Sequence, residues 1–270
     1  MIKMRKTIFF NCFLVLFFLI TFSGCKKALD YVKNHHDGTA DNCKIEKIAF
    51  KWFDIGNGGA TIQDTANISY NAHGDPVTVL YSSGGKTTAV WNNKGFKYDN
   101  QHRLVAYMED ALPDFQYADY WHKYVYIGDN IVVDTTFVYA NGDFFNQDRP
   151  IFIPGSIEPT IWVTKYSLDS YGRIIKSEGD YSNDTYTYNA AGNLVLPGVT
   201  YTDKTNIKQT HKTWMFITSD YSVNAPAGQA TQYNSNKLPV KAKDIDIFTI
   251  GYWDAASMGS REVSVDYMCH

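Results

Sequence analysis

The chain has 270 residues, of which 44% are apolar, 20% charged and 16% aromatic, a composition that excludes a disordered or collagenous polypeptide and suits one large domain or two small ones. Its 25 basic and 28 acidic residues give a formal charge of −3. Lys3, Arg5 and Lys6 all lie in the first 24 residues, which hold no acid, so a chain cleaved after them keeps 22 basic (25 less 3) against 28 acidic residues. That balance lacks the electrostatic footprint of a nucleic-acid binder or of a protein held on anionic lipid by charge.

Residues 1–24 read as an export signal: a basic start, an almost wholly apolar run to Phe22, then Ser23 and Gly24 before Cys25. A membrane-spanning helix needs about 20 apolar residues, more than the run from Ile8 to Phe22 supplies. Phe22-Ser23-Gly24-Cys25 resembles the lipobox of bacterial lipoproteins, with Phe in place of the usual Leu. The resemblance implies cleavage before Cys25 and diacylglycerol on its sulfur. Several acyl chains on one residue hold a protein on a bilayer where one chain does not, so the membrane partner is reached through Cys25. Lys26 and Lys27 follow where surface-exported lipoproteins commonly carry acids, and the expected location is the outer membrane, facing the periplasm.

Residues 25–42 read as the lipidated cysteine and a polar tether. His35-His36-Asp37 falls within it, and adjacent histidines in such a segment offer no fixed coordination shell, so no metal is expected there. Cys43 and Cys269 are the two thiols left to the folded part, residues 43–270. In an oxidising envelope they read as a disulfide closing a long loop, the alternative being two separately buried thiols.

From Cys43 onward, short alternating stretches broken by Asn, Asp and Gly are strand texture. Ile48, Phe50 and Trp52 share one strand face, Trp121, Val125 and Ile127 another, and Val263, Val265 and Tyr267 a third. Helical spacing is scarce. Its strongest instances, Lys26 to Asn34 and the run near Asp203 to Ser219, give no clean amphipathic stripe.

Five copies of one core recur. They are Tyr70 to Pro76, Tyr98 to Leu104, Leu168 to Ile174, Tyr188 to Leu194 and the shorter Tyr233 to Leu238. Asp or Asn at the second place can hydrogen-bond the amides ahead of it, and Gly three residues on supplies the left-handed conformation that returns the chain. Each copy is predicted to be a hairpin corner, the aromatic ending one strand and the apolar residue starting the next.

Over about residues 65 to 240 this pattern, Tyr-Asp-x-x-Gly-Arg-Leu, resembles the YD repeat of RHS-type proteins and of short lipoproteins of Bacteroidetes-type envelopes. Arg173 keeps the basic place beside Gly172, while His102 stands where Gly is usual. Tyr201 to Asn206 and Trp214 resemble a further element of those lipoproteins, most of which have no assigned activity. Five units are too few for the shell of long RHS proteins. The fold expected is all-β: a single domain built as a curled antiparallel meander of YD-repeat-like hairpins.

No catalytic motif is present. Gly56-Asn57-Gly58-Gly59 lacks the Lys-Ser/Thr of a phosphate loop, Ala256 to Ser260 lacks the glycine of a nucleophile elbow, and His-Glu-x-x-His does not occur. Glu109, Asp110, Asp114, Asp119, Asp134 and Glu158 supply carboxylates, but a glycosidase needs two at a set separation, which sequence does not give. No cofactor is expected. The stretch of some 60 residues between the second and third cores is the functional candidate, since long connections more often carry function. Its aromatics Tyr120, Trp121, Phe144 and Phe145, with Trp162, suit stacking on sugar C–H faces; such residues are also ordinary strand packing. The expectation is a non-enzymatic binding or scaffolding protein with a glycan or another envelope protein as partner, a glycan-binding role in polysaccharide uptake being the second reading and a glycosidase the third.

Overall fold

The computed structural model describes residues 43–54, 60–82, 92–110, 112–151, 160–180, 182–243 and 262–269. The chain divides after Gly38, and all described residues belong to the unit Thr39–His270. The export signal, Cys25, the tether, Gly56 to Gly59, Glu158 and Ala256 to Ser260 lie outside the described residues.

Among these residues the chain forms β1 (Cys43–Asp54), β2 (Ala60–Tyr70), β3 (Pro76–Tyr81), β4 (Asn93–Tyr98), β5 (Leu104–Asp110), β6 (Tyr117–Ile127), β7 (Ile131–Asn141), β8 (Thr160–Leu168), β9 (Ile174–Gly179) and β10 (Tyr201–Thr205). A 3-10 turn (Ile207–Thr210) and helix α1 (Lys212–Ile217) come next, then β11 (Asn224–Pro226), β12 (Ala230–Tyr233), β13 (Pro239–Lys243) and β14 (Glu262–Cys269). Twelve strands make one sheet in the order β12-β13-β14-β1-β2-β3-β4-β5-β6-β7-β8-β9, while β10 and β11 pair separately. Every ladder of the large sheet is antiparallel. Its ends β12 and β9 are not paired with each other, so the sheet is an open meander and not a closed barrel. Cys43 and Cys269 face each other across the β1–β14 ladder and form a disulfide.

The five repeated cores are five copies of one corner. In each, the side-chain oxygen of the Asx residue accepts two backbone N–H groups, those two and four residues ahead. Asn71 takes His73 and Asp75, Asp99 takes Gln101 and Arg103, Asp169 takes Tyr171 and Arg173, Asn189 takes Ala191 and Asn193, and Asn234 takes Asn236 and Leu238. The residue three after it sits at positive φ in every copy: Gly74 88°, His102 59°, Gly172 76°, Gly192 79° and Lys237 60°. Its N–H donates back to the Asx carbonyl. The N–H groups two, three and four residues after the Asx are thereby satisfied within the turn.

Tyrosines then bolt the corners together. The hydroxyls of Tyr126, Tyr188, Tyr201 and Tyr267 donate to the carbonyls of Leu104, Ile174, Leu194 and Pro239, residues that follow the second to fifth corners. Where Arg ends the turn it binds its own Asp and lies over one of these rings, Arg103 at 4.4 Å from the Tyr126 centroid and Arg173 at 4.1 Å from that of Tyr188. A desolvated guanidinium on a tyrosine face is worth up to about 2 kcal/mol.

One face of the sheet, the inner one, closes on the helical segment. Phe96 meets Trp214 edge-on at 5.6 Å, the Tyr98 hydroxyl lies 2.9 Å from Thr213 Oγ1, and Phe216 packs on Tyr124 and Tyr166. With Ile48, Phe50, Ile68, Val79, Val263 and Val265 these residues make the main core. Asn206 caps the 3-10 turn, and His211 caps α1 by accepting the Thr213 N–H. The weak helical spacing near Asp203 to Ser219 corresponds to two short turns that plug the curl, buried at Ile207, Trp214 and Ile217. Among the described residues no helix is long and apolar enough to cross a membrane.

The stretch between the second and third corners, read as a long functional connection, is largely strand. Its middle is the hairpin of β6 and β7, paired from Tyr117↔Asn141 to Ile127↔Ile131 and flanked by β5 and β8, so the interruption is built into the sheet.

The corner geometry sets a test. Lys237 holds a left-handed conformation that costs a side-chain-bearing residue about 1 kcal/mol. Lys237→Gly is expected to raise stability by about 0.5 kcal/mol, glycine's greater unfolded-state freedom offsetting the rest, and Asn234→Ala to lower it by about 1 kcal/mol, the value of a lost capping oxygen; urea melts of the two variants measure both.

Candidate functional site

Alternation and register decide which side chains meet. On the inner face one row across the sheet reads Phe96, Tyr107, His122, Thr136 and Trp162, and the row above reads Lys94, Glu109 and Tyr120. Helix α1 reaches Phe96, Tyr124 and Tyr166. Past it, these rows form a polar and aromatic site.

His122 is at its centre. It is 8% exposed and its Nδ1 lies 2.9 Å from Asp134 Oδ2 and 2.9 Å from Thr136 Oγ1. Burial disfavours the charged imidazole, yet the charge of Asp134 and the hydrogen bond to it outweigh burial, and the pKa is raised above its ordinary 6.5. Tyr124 stacks beside it at 6.0 Å and 12°, Tyr120 at 6.5 Å and 29°, and Tyr107 lies tilted at 5.4 Å.

Beside the imidazole, Glu109 accepts the Tyr107 hydroxyl at 2.5 Å and pairs with Lys94 Nζ at 3.4 Å. Asp119 accepts from Asn92 Nδ2 at 2.5 Å. Its pKa is raised, by burial first and with a contribution from the nearby charge of Glu109. Burial likewise pushes the Tyr107 and Tyr124 hydroxyls well above their usual value, so both remain protonated donors.

The five sequence-predicted aromatics do not share a surface. Tyr120 and Trp162 lie on the inner face, both half-buried, with ring centroids 6.1 Å apart. Trp121 and Phe144 are fully buried on the outer face, in a second cluster with Met108, Phe115 and Ala140. Phe145 caps that cluster at 39% exposure, edge-on to Phe115 and Phe144. These three are packing residues of the outer face. Gly95 makes the packing close: a Cβ there would come within 3.0 Å of the Phe144 ring. Lys97 ties the covering loop down by donating to the Phe144 and Gln147 carbonyls.

The other carboxylates of the sequence analysis separate by place. Asp110 accepts the Leu112 and Tyr117 amides and shapes the β5–β6 connection, and Asp114 is exposed. Lys94, Tyr107, His122 and Thr136 carried no local motif.

A second polar cluster joins the first two corners to α1. Asp75 accepts from His102 Nδ1 at 2.9 Å and from Asn71 Nδ2 at 3.2 Å, and lies 3.4 Å from His211 Nε2. Burial lowers the His211 pKa to about 4, so it is neutral, which its Nδ1 acceptor role requires. Every ring nitrogen facing Asp75 there serves the fold. Among the described residues no group of three His, Cys, Asp or Glu side chains is arranged to hold a metal ion.

These features define an open, single-sheet all-β domain with a polar and aromatic site on its inner face. No family model matches the chain, and no curated protein matches it. Among solved structures, a porin-like protein from Bacteroides uniformis is similar at 13% identity, covering 83% of this chain and 96% of that one, with a TM-score of 0.29. A likeness at that score says nothing about the fold, membrane insertion or ligands of this chain.

The raised pKa of His122 fixes the sign of a stability test. A group with a raised folded pKa adds stability that is fully present below the ordinary 6.5 and is lost as pH rises through the folded value. Asp134→Asn is expected to cost about 3 kcal/mol at pH 6 and less at pH 9; denaturant melts at the two pH values check it.

Proposed function

We propose that this chain is a lipid-anchored protein of the bacterial envelope whose inner face binds a saccharide without a catalytic role. The observation that carries the reading is the half-buried Tyr120–Trp162 pair beside Glu109, Asp119 and Lys94. Aromatic faces pack on sugar C–H surfaces while carboxylates and amides take the hydroxyls, which is the composition of a saccharide site. The anchor rests on the basic and apolar start of the chain and on Ser23-Gly24-Cys25. Lys26 and Lys27 support an outer-membrane position facing the periplasm. The five matching corners support kinship with YD-repeat lipoproteins.

A second reading, a scaffold that docks another envelope protein, is favoured by the outer face of β6 and β8. There Val125, Ile127, Ile161 and Val163 are 45–54% exposed.

Tyr120→Ala with Trp162→Ala is expected to weaken binding of soluble neutral polysaccharides at least tenfold in affinity electrophoresis; unchanged migration across the panel would discard the saccharide reading. Labelled palmitate is expected in the wild type and absent from Cys25→Ala, and protease added to intact cells is expected to leave the domain whole.

A further inference from the structure

His122 has one ring nitrogen fully engaged and one that is not. Nδ1 is held by Asp134 and Thr136 on β7. That fixes the ring and turns Nε2 away from β7, on the side where Glu109 and Tyr107 of β5 lie. Among the described residues Nε2 has no hydrogen-bond partner, and the side chain is 10% exposed. It differs from Trp121 Nε1 and Gln147 Oε1, which are sealed from solvent without partners, in keeping access to the site. A ring nitrogen held in a fixed orientation and reached from the site can hydrogen-bond a group that enters it.

We infer that Nε2 of His122 is the atom that reads a hydroxyl of a neutral saccharide lying on Tyr120 and Trp162. The inference rests on the saccharide reading and adds the specificity-determining contact. Neutrality follows from the charges around the imidazole: Glu109, Asp119 and Asp134 outnumber Lys94 and His122 itself, so a carboxylate or sulfate on the sugar meets net repulsion. A charged imidazole fixed by a carboxylate donates a stronger hydrogen bond than a neutral one. Saccharide affinity therefore follows its protonation, which Asp134 holds in place to higher pH than a free histidine. The groups facing the ring are Lys94 on β4, Tyr107 and Glu109 on β5, Tyr120 and Tyr124 on its own strand, and Asp134 on β7; Asp119, whose pKa is also raised, is the titrating neighbour to control for.

The test uses the intact protein with maltohexaose, cellohexaose and mannohexaose as neutral probes and polygalacturonate as the acidic one. Ring-nitrogen NMR is expected to show the His122 Nε2 signal moving on addition of a neutral probe while Nδ1 stays. Titration calorimetry is expected to show affinity for that probe falling about tenfold between pH 5 and pH 9, in Asp119→Asn as in the wild type. His122→Gln, whose amide reaches the same position, is expected to flatten that profile. Binding that requires Tyr120 and Trp162 but leaves Nε2 unmoved and does not vary with pH overturns the inference and leaves the saccharide reading standing. Preference for polygalacturonate overturns the neutral class, and failure of every probe overturns both.

Discussion

A single side-chain oxygen accepting two backbone N–H groups organises this molecule. At Asn71, Asp99, Asp169 and Asn234 it ends one strand and starts the next after the same number of residues, and at Asn189 it closes an isolated bridge between Tyr188 and Leu194. A one-residue slip in any corner would turn the following strand inside out. The tyrosine bonds to Leu104, Ile174, Leu194 and Pro239 fix the second to fifth corners against the segments beside them, so the register of the sheet is held at its ends.

Register in turn makes the two faces chemically unlike. The outer face of β4 to β7 is finished with a dry aromatic cluster and a loop clamped by Lys97. The inner face is finished only where the helical segment reaches it. Beyond Trp214 and Phe216 the strands still present alternate residues inward, and there they are charged or amphipathic: Lys94, Glu109, Tyr120, His122 and Asp134. Buried ions of this kind contribute little to stability against an apolar replacement, and they persist where they hold a particular geometry.

Much of the fold was legible because its signals are local. The Asx place announces each corner and Gly marks three of the five, while Ile48 with Phe50, or Val263 with Val265, reveal their inward face by alternation alone. The site was legible only in part. Tyr120 and Trp121 are neighbours on one strand and so point to opposite faces, which already divides the predicted aromatic group. Trp162 joins Tyr120 because β8 is registered on β7 with Trp162 opposite Thr136. His122, Asp134 and Thr136 meet because the turn at Gly128 to Asn130 pairs Ile127 with Ile131 and hence His122 with Thr136, a relation a hairpin reading of that turn would have exposed. Lys94 and Glu109 arrive from other strands and leave no mark in sequence spacing.

The bridge between Cys43 and Cys269 has a mechanical side. β1 is an interior strand, paired with β14 from Cys43 to Lys51 and with β2 from Lys47 to Asp54. Tension applied to the chain at residue 43 runs along that strand and loads both ladders in shear, so many hydrogen bonds resist together and none can be unzipped one by one. The disulfide sits at the point where the pull enters and shares it covalently with β14. Reduction would leave the fold's topology intact and remove that shunt, making the first rungs of β1 the weak link under drag.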